Sequence, residues 1–583
     1  MTQRYSQGSR RFAGGVLAVA LLLPFAPNAL AQTPGPPPVP LGEPLSRELG
    51  EPGTPRPVAP GFELGQPKEP TLTRPAPGAE AAPPEAPAGP RVFVSEIQLS
   101  GNTVFSDAQL SEVTAPYIGR ELSAADLEAV RQGLTLYYVN RGYINSGALI
   151  PDQKVEDGVV KMVIIEGELT EITVTGNERL RSGYITKRLD LGAGPPLNVN
   201  DLQEQMQIML QGPFIKRMNA QLAPGDRPGE ARLNADIEEG QRFVTRFALD
   251  NNISPPLGEA RGVFRSAVYD LTGRGDVLSG EFDFGEGLRE LYMDYGIPLN
   301  RRDLTFDAFM RFTDTDVVEN PFSELDIEAQ GRTLALRLSQ PVLRSRNQQL
   351  TLAGGLDLRE SQTSLLGIPF GFSPGVPDDG KVKLSVLRFI QNWNTRNRNR
   401  VIALLSTFSL GIDAFGATTN EGDLPSGEFF SWLGQIQYLQ RFGKRGNQLF
   451  VRFDTQLTND PLFTLEQFAV GGLYSVRGYR KNLEVRDKGY SGTVELRLPV
   501  VRKQTGQSLL QLIPFFDSGG SWFNDRETPE PQEVSSLGLG LRWDPDPKVR
   551  LEAYYGYALN DVPNEGDSIQ DDGFNFVLTA DLN

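Results

Sequence analysis

The chain has 583 residues, more than one ordinary core accommodates, so several domains are expected. Its 73 acidic residues outnumber its 57 basic ones for a net charge of −16, which gives no ground for a nucleic-acid partner. Cys and His are both absent, and so are Gly-x-Ser-x-Gly, Walker A and Gly-x-Gly-x-x-Gly runs; no enzyme, no cofactor and no metal site is therefore expected.

Residues 1–31 have the pattern of a secretory signal peptide. Arg10 and Arg11 form the positive region, Phe12 to Phe25 is apolar, and Ala29-Leu30-Ala31 fits an A-x-A cleavage site. The apolar run falls short of the ~20 residues that a membrane-spanning helix requires. No later stretch is apolar enough to span as a helix, so the mature chain is either soluble or a β-barrel whose strands hide their hydrophobicity in alternation. Residues 32–90 are dominated by Pro, Gly, Ala and Glu and read as an extended linker with polyproline II character; only Leu45 to Glu51 looks helical.

Residues 91–168 change to a β-α-α-β-β pattern. Val92-Phe93-Val94 and Ile97-Gln98-Leu99 suggest a strand, followed by a turn at Gly101-Asn102. Ser106 caps a short helix carrying Leu110 and Val113, and Ser123 opens a second on which Leu127, Val130, Leu134 and Tyr138 share a face. Gly142 ends that helix, and strands follow at Gly147 to Ile150 and Gly158 to Ile165. The unit then repeats over residues 169–241, at a spacing of roughly 75 residues. Ile172-Thr173-Val174-Thr175-Gly176-Asn177 echoes Ile97-Gln98-Leu99-Ser100-Gly101-Asn102, Asn198 to Leu210 echoes the second helix, and Ile237-Glu238-Glu239-Gly240 echoes Ile165-Glu166-Gly167.

Residues 242–583 alternate. Sixteen candidate strands begin near Phe243, Ala260, Asp276, Arg289, Asp303, Gly331, Gln349, Lys381, Arg400, Glu428, Gln448, Gly489, Ser508, Ser535, Val549 and Gly573. Leu537, Leu539, Leu541 and Trp543, for example, alternate with Gly538, Gly540, Arg542 and Asp544. One apolar face and one face rich in charge and Gly fit either a strand with lipid outside and water inside or a soluble sandwich with its apolar face inward; strands of about ten residues, their even number and the preceding signal peptide favour a transmembrane β-barrel. Closure also removes the edges that so large a sheet would otherwise expose.

Residues 459–488 interrupt the alternation. Gly471 and Gly472 there precede Val476-Arg477-Gly478-Tyr479, and the apolar residues around them argue against a floppy linker. This stretch reads as a loop, the sixth extracellular one, folded back into a cavity with Arg477 as a lumenal cation. Strand thirteen supplies a partner in Phe515-Phe516-Asp517-Ser518-Gly519, where alternation puts Asp517 opposite Leu510, Leu512 and Phe516 and hence inward.

The Ile-x-Leu/Val-x-Gly-Asn segments with their closing Glu-Gly resemble POTRA domains, the modules placed before outer-membrane barrels. Asn140-Arg141-Gly142-Tyr143 with Ala148-Leu149-Ile150-Pro151-Asp152-Gln153 resembles the form found in two-partner secretion transporters, the TpsB or hemolysin secretion/activation type. Val476-Arg477-Gly478-Tyr479 and Phe515-Phe516-Asp517-Ser518-Gly519 resemble the paired loop-six and strand-thirteen motifs of the same superfamily. The resemblance implies a mainly β chain: two small α+β POTRA domains, then a 16-stranded barrel in the outer membrane of a Gram-negative cell, with the modules in the periplasm. It implies a salt bridge between Arg477 and Asp517 that holds loop six inside the barrel. It also implies export of a TpsA-type β-helical exoprotein, received unfolded by the modules, with outer-membrane lipid around the barrel. A barrel-assembly insertase of the same superfamily and a passive porin are the alternatives. Members commonly begin with a plug helix and end on an aromatic residue, whereas this chain offers only Leu45 to Glu51 and ends Asp581-Leu582-Asn583.

Overall fold

A computed structural model of the protein describes residues 69–73, 91–504, 506–562 and 567–582. The expected signal peptide and the helical piece at Leu45 to Glu51 lie outside the described residues. The first element is β1 (Thr71–Thr73), inside the stretch expected to be linker.

The first module comprises β2 (Val92–Val94), β3 (Glu96–Ser100), α1 (Asp107–Thr114), β4 (Arg120–Leu122), α2 (Ala124–Val139), β5 (Gly147–Leu149) and β6 (Val159–Ile165). Both helices start at capping boxes on Ser106 and Ser123, as their Ser-x-x-Gln and Ser-x-x-Asp spacing predicts. The expected single strand at 92–99 is instead two: β2 pairs with β4, while β3 joins the sheet β3-β6-β5. Leu110, Val130, Leu134 and Tyr138 of the helices meet Val160, Met162 and Ile164 of β6 in one core.

The second module comprises β7 (Glu168–Thr175), α3 (Ser182–Leu189), α4 (Val199–Leu210), β8 (Ile215–Pro224) and β9 (Glu230–Glu239). Its sheet order is β1-β8-β9-β7, so β1 adds a fourth strand at the edge. That corrects the sequence expectation: Thr71-Leu72-Thr73 is extended because it is paired, not because it is polyproline.

The repeated motif has a physical reason. Gly101 and Gly176 turn the chain at φ +85° and +77°, where an added Cβ would lie 2.3 Å from the carbonyl oxygens of Ile164 and Ile237. The closing carboxylates then satisfy the turn's amides. Glu166 accepts from the amides of Thr103 (2.7 Å) and Val104 (2.9 Å) and from the Tyr138 hydroxyl (2.8 Å). Glu239 accepts from the amides of Glu178, Arg179 and Leu180 at 3.0, 2.9 and 2.8 Å. Burial pushes both carboxyls up, but the Thr103 hydroxyl on Glu166 and the Arg179 guanidinium on Glu239 (2.6 Å), together with these amides, outweigh it and hold both below the usual range.

The barrel strands are β10 (Phe243–Asp250), β11 (Arg261–Tyr269), β12 (Val277–Gly285), β13 (Leu288–Pro298), β14 (Thr305–Asp316), β15 (Ile327–Arg344), β16 (Gln348–Leu365), β17 (Ile368–Pro369), β18 (Lys381–Arg396), β19 (Arg400–Gly411), β20 (Phe429–Phe442) and β21 (Asn447–Thr458). After a loop hairpin of β22 (Phe468–Val470) and β23 (Glu484–Arg486) come β24 (Lys488–Arg502), β25 (Ser508–Trp522), β26 (Glu533–Asp546), β27 (Val549–Ala558) and β28 (Phe574–Asp581). Apart from the two-residue β17, these are sixteen spanning strands, closed where β10 meets β28 from Arg246↔Asp581 to Asp250↔Val577. Along β15, Leu334, Leu336 and Leu338 face outward and exposed while Ala335, Arg337 and Ser339 are buried inside. The apolar face is therefore external, as a lipid solvent requires.

Several strands are longer than the expected ten residues. β15 and β16 have 18 each, about 60 Å at 3.4 Å per residue, against a hydrocarbon core of about 30 Å. Their surplus is a hydrogen-bonded ribbon beyond the apolar band. Alternation fades there, which is why β15 begins at Ile327 and not near Gly331.

The second module packs on turns at the barrel end where β10 begins. The Arg181 amide donates to the Gly273 carbonyl (3.0 Å), Arg188 Nε to Asp303 (3.0 Å), Arg301 to Asp190 (2.8 Å) and Gln211 to the Arg346 carbonyl (3.0 Å).

Candidate functional site

Residues 459–487, between β21 and β24, enter the barrel from the end opposite the modules. Val470, Val476 and Tyr479 pack with Leu433 of β20 and Val534 of β26. Gly471 and Gly472 form the turn that sends the loop back. The Gly472 amide donates to the Val476 and Tyr479 carbonyls at 3.2 and 3.1 Å, and the Gly471 amide to Ser475 Oγ at 3.3 Å.

Arg477 is 3% exposed and Asp517, on β25, is fully buried. Nε of Arg477 donates to one carboxylate oxygen of Asp517 at 2.7 Å and Nη2 to the other at 2.8 Å. The Arg477 amide adds a third bond to the same carboxylate at 3.1 Å. Nη1 reaches Glu495 on β24 at 2.8 Å, and Glu495 is shared with Arg497 at 3.0 Å. The guanidinium carbon also stands 3.6 Å from the centre of the Phe515 ring and 5.0 Å from that of Tyr554. Fork geometry, charge and an aromatic floor all suit Arg and would not suit Lys.

The flanking motif residues make this approach possible. A Cβ on Gly478 would lie 2.8 Å from the Gly556 carbonyl oxygen of β27, and one on Gly556 would lie 2.6 Å from the Gly478 nitrogen. Loop and wall meet there backbone to backbone. A Cβ on Gly519 would lie 2.9 Å from Val470 and 3.0 Å from Val476, so its missing side chain is the space those two fill. The Tyr479 hydroxyl donates to the Ser535 carbonyl at 2.9 Å. All the predicted motif residues, Gly471, Gly472, Val476, Arg477, Gly478, Tyr479, Phe515, Asp517 and Gly519, thus fall in this loop or on the wall that receives it.

Two further ionic anchors escaped sequence reasoning. Near the loop's start, Glu466 is 1% exposed and accepts from Arg359 of β16 at 2.8 Å and from Arg388 of β18 at 2.7 and 2.9 Å. Asp357 takes the opposite side of Arg388 at 3.0 Å. Past the motif, Arg480 binds Asp571 at 2.6 Å and Glu319 at 3.0 Å, two residues from different connections of the far end. An acidic residue before the Gly pair and a second Arg after Tyr479 were visible in the chain. Their partners lie 78 to 161 residues away and carry no local signal.

Residues 92–167 match the family model of the POTRA domain of ShlB type, and residues 229–543 match that of the haemolysin secretion/activation protein ShlB/FhaC/HecB. The heme/hemopexin transporter protein HuxB of Haemophilus influenzae is 22% identical over 481 residues, 79% of this chain and 82% of that protein. The outer membrane transporter CdiB of Dickeya dadantii is 24% identical over 456 residues, 75% and 78% of the two chains. Among solved structures, CdiB from Escherichia coli shares the fold at a TM-score of 0.65 and 21% identity, covering 89% of this chain and 94% of that one.

Proposed function

Since the chain belongs to the haemolysin secretion/activation protein (ShlB/FhaC/HecB) family, we propose that it works by receiving one large unfolded exoprotein on its modules and passing it through a barrel whose working form depends on loop six being held inside. At the family level the function is two-partner secretion, the export of an exoprotein across the outer membrane. In the finer reading, residues 169–241 are a second POTRA domain, both modules lie in the periplasm, and the cargo is a β-helical TpsA-type protein. Its folding outside the cell supplies the drive where no nucleotide is available.

The observation that supports this reading is the carboxylate of Asp517 wrapped around Arg477 inside a closed barrel. A passive porin has no use for a loop so firmly held, nor for two modules at its mouth. Removing one partner of a buried ion pair typically costs about 3–5 kcal/mol, so the pair is strong enough to set the resting state of the loop. Arg477 and Asp517 then act as the latch, while Gly478, Gly519 and Phe515 shape its seat.

Deletion of this chain from cells producing the exoprotein tests the reading. The exoprotein should vanish from the cell surface and medium, while other outer-membrane barrels assemble at parental levels. A general fall in assembled barrels would favour an insertase instead.

A further inference from the structure

The chain is acidic overall, yet part of its barrel carries cationic side chains and no anionic ones. Residues 380–412, 429–453 and 496–516 contain no Asp or Glu, against a net charge of −16 for the whole chain. They lie in three consecutive hairpins of the wall, β18–β19, β20–β21 and β24–β25, whose short turns sit at the barrel end where the second module packs. Arg398 and Arg400 stand at the first turn, Lys444 and Arg445 at the second and Arg502 at the third, and all five are exposed.

The three turns form one surface. The Arg441 amide donates to the Asn399 carbonyl at 2.7 Å, joining the first to the second. The Arg502 guanidinium donates to the Arg445 carbonyl, joining the second to the third, and to the Gly506 carbonyl at 2.7 Å. Carbonyls satisfy its donors without cancelling its charge. Among the described residues no carboxylate pairs with any of the five.

The rest of this rim is balanced. Turns 270–276, 299–304 and 345–347 lie against the second module, where Arg301 meets Asp190 at 2.8 Å and Arg188 and Arg344 share Asp303. On the other side of the basic turns, Arg550 meets Asp544 at 2.8 Å. Uncompensated charge is thus confined to the part of the rim outside the module's contacts.

Its depth is marked by aromatic residues. Alternation with the exposed Phe389 and Ile436 puts Trp393 and Tyr438 on the outer face, and Phe442 is exposed beside the second turn. Trp and Tyr on a barrel's outer face mark the level where acyl chains meet headgroups. The basic residues follow directly, at the level of the phosphates.

We propose that this stretch of rim is a binding site for the headgroups of anionic phospholipids in the leaflet on the module side. Cations from neighbouring turns take up each phosphodiester, while the acyl chains lie against Trp393, Tyr438 and Phe442. The second module holds one side of the barrel end and lipid holds the other, so the depth and tilt of the barrel are set from both sides. The site stands on the barrel and its charges, and does not depend on which protein is exported.

Lipid binding to the full-length protein in detergent, counted by native mass spectrometry with phosphatidylglycerol or phosphatidylcholine added, tests the site. The native chain should retain phosphatidylglycerol about tenfold more readily. Arg398→Gln, Arg400→Gln, Lys444→Gln and Arg445→Gln together should abolish that preference, whereas Arg398→Lys, Arg400→Lys and Arg445→Lys together should keep it. Removing as many charges at the far end, with Arg289→Gln, Arg332→Gln, Lys381→Gln and Lys383→Gln, should also keep it. Heat-modifiable mobility on gels checks that each barrel is folded. Equal retention of the two lipids by the native chain, or undiminished preference in the first Gln variant, overturns the site. Millimolar inorganic phosphate should not displace the lipid, since it has no acyl chains; full displacement would reveal a site for free anions and overturn the lipid assignment. Full competition by a polyglutamate peptide would assign the surface to an acidic stretch of the exported chain and overturn it too.

Discussion

Asp517 receives three hydrogen bonds from one residue, Arg477: two from the guanidinium fork and one from the backbone amide. The amide contact ties the loop's main chain as well as its side chain to the wall. Glu495 meets the remaining arm of the fork and is balanced in turn by Arg497, so charges of both signs alternate along this wall. The arrangement holds loop six in place by charge, while Gly478 against Gly556 sets how close it comes.

Gly556→Ala tests that close approach without touching any charge. The new methyl would meet the Gly478 nitrogen at 2.6 Å and the Arg477 carbonyl carbon at 2.7 Å, both backbone atoms that cannot swing aside. Overpacking of this kind costs about 1–3 kcal/mol. The barrel should still fold, as judged by its heat-modifiable mobility on gels, while protease cleavage within residues 471–483 increases. Unchanged protection of the loop would show that the contact is slack.

Glu466→Gln tests the anchor near the loop's start. It keeps the shape of Glu466 but takes a negative charge away from the buried guanidiniums of Arg359 and Arg388, while Asp357, which pairs with Arg388, is also shared with Arg337. Amide exchange in residues 462–468 should rise by at least about tenfold, the factor expected for 1.4 kcal/mol. Exchange at Arg477 should change less, because its own anchors are intact.

A pH effect is expected in the modules. Glu166 and Glu239 are held below their usual range when folded, so each stabilises its turn fully above the unfolded value near 4.5. That contribution is lost as pH falls through the lower folded value. Exchange at the Thr103 and Val104 amides should therefore quicken below about pH 4.5, beyond the intrinsic pH dependence of exchange. Glu166→Gln should remove this excess, since no carboxylate remains to protonate.

The strands were legible in the sequence because a barrel wall separates lipid from lumen at every second residue. Asp517 could be placed inward from Leu510, Leu512 and Phe516 alone, and Phe516 is indeed exposed on the outside. Where no lipid imposes that contrast, legibility fails, as in the polar beginning of β15. Thr71-Leu72-Thr73 was obscured by the prolines around it, and its partner Ala220 lies 148 residues on, beyond any local pattern. Glu466 was missed for the same reason. A buried carboxylate shows itself only when its arginines, on β16 and β18, are folded around it.

Charge exchange, with secretion as the readout, decides whether Asp517 holds loop six inside the barrel through Arg477. Arg477→Asp places one carboxylate against those of Asp517 and Glu495, and secretion should fall below detection with the barrel still assembled. Adding Asp517→Arg should restore part of it, and only part, because Glu495 still faces the new carboxylate at 477 and the Phe515 stack is lost. Parental secretion from Arg477→Asp alone, or no recovery in the exchanged pair even with Glu495→Gln added, would mean that the Arg477–Asp517 pair does not hold the loop for export.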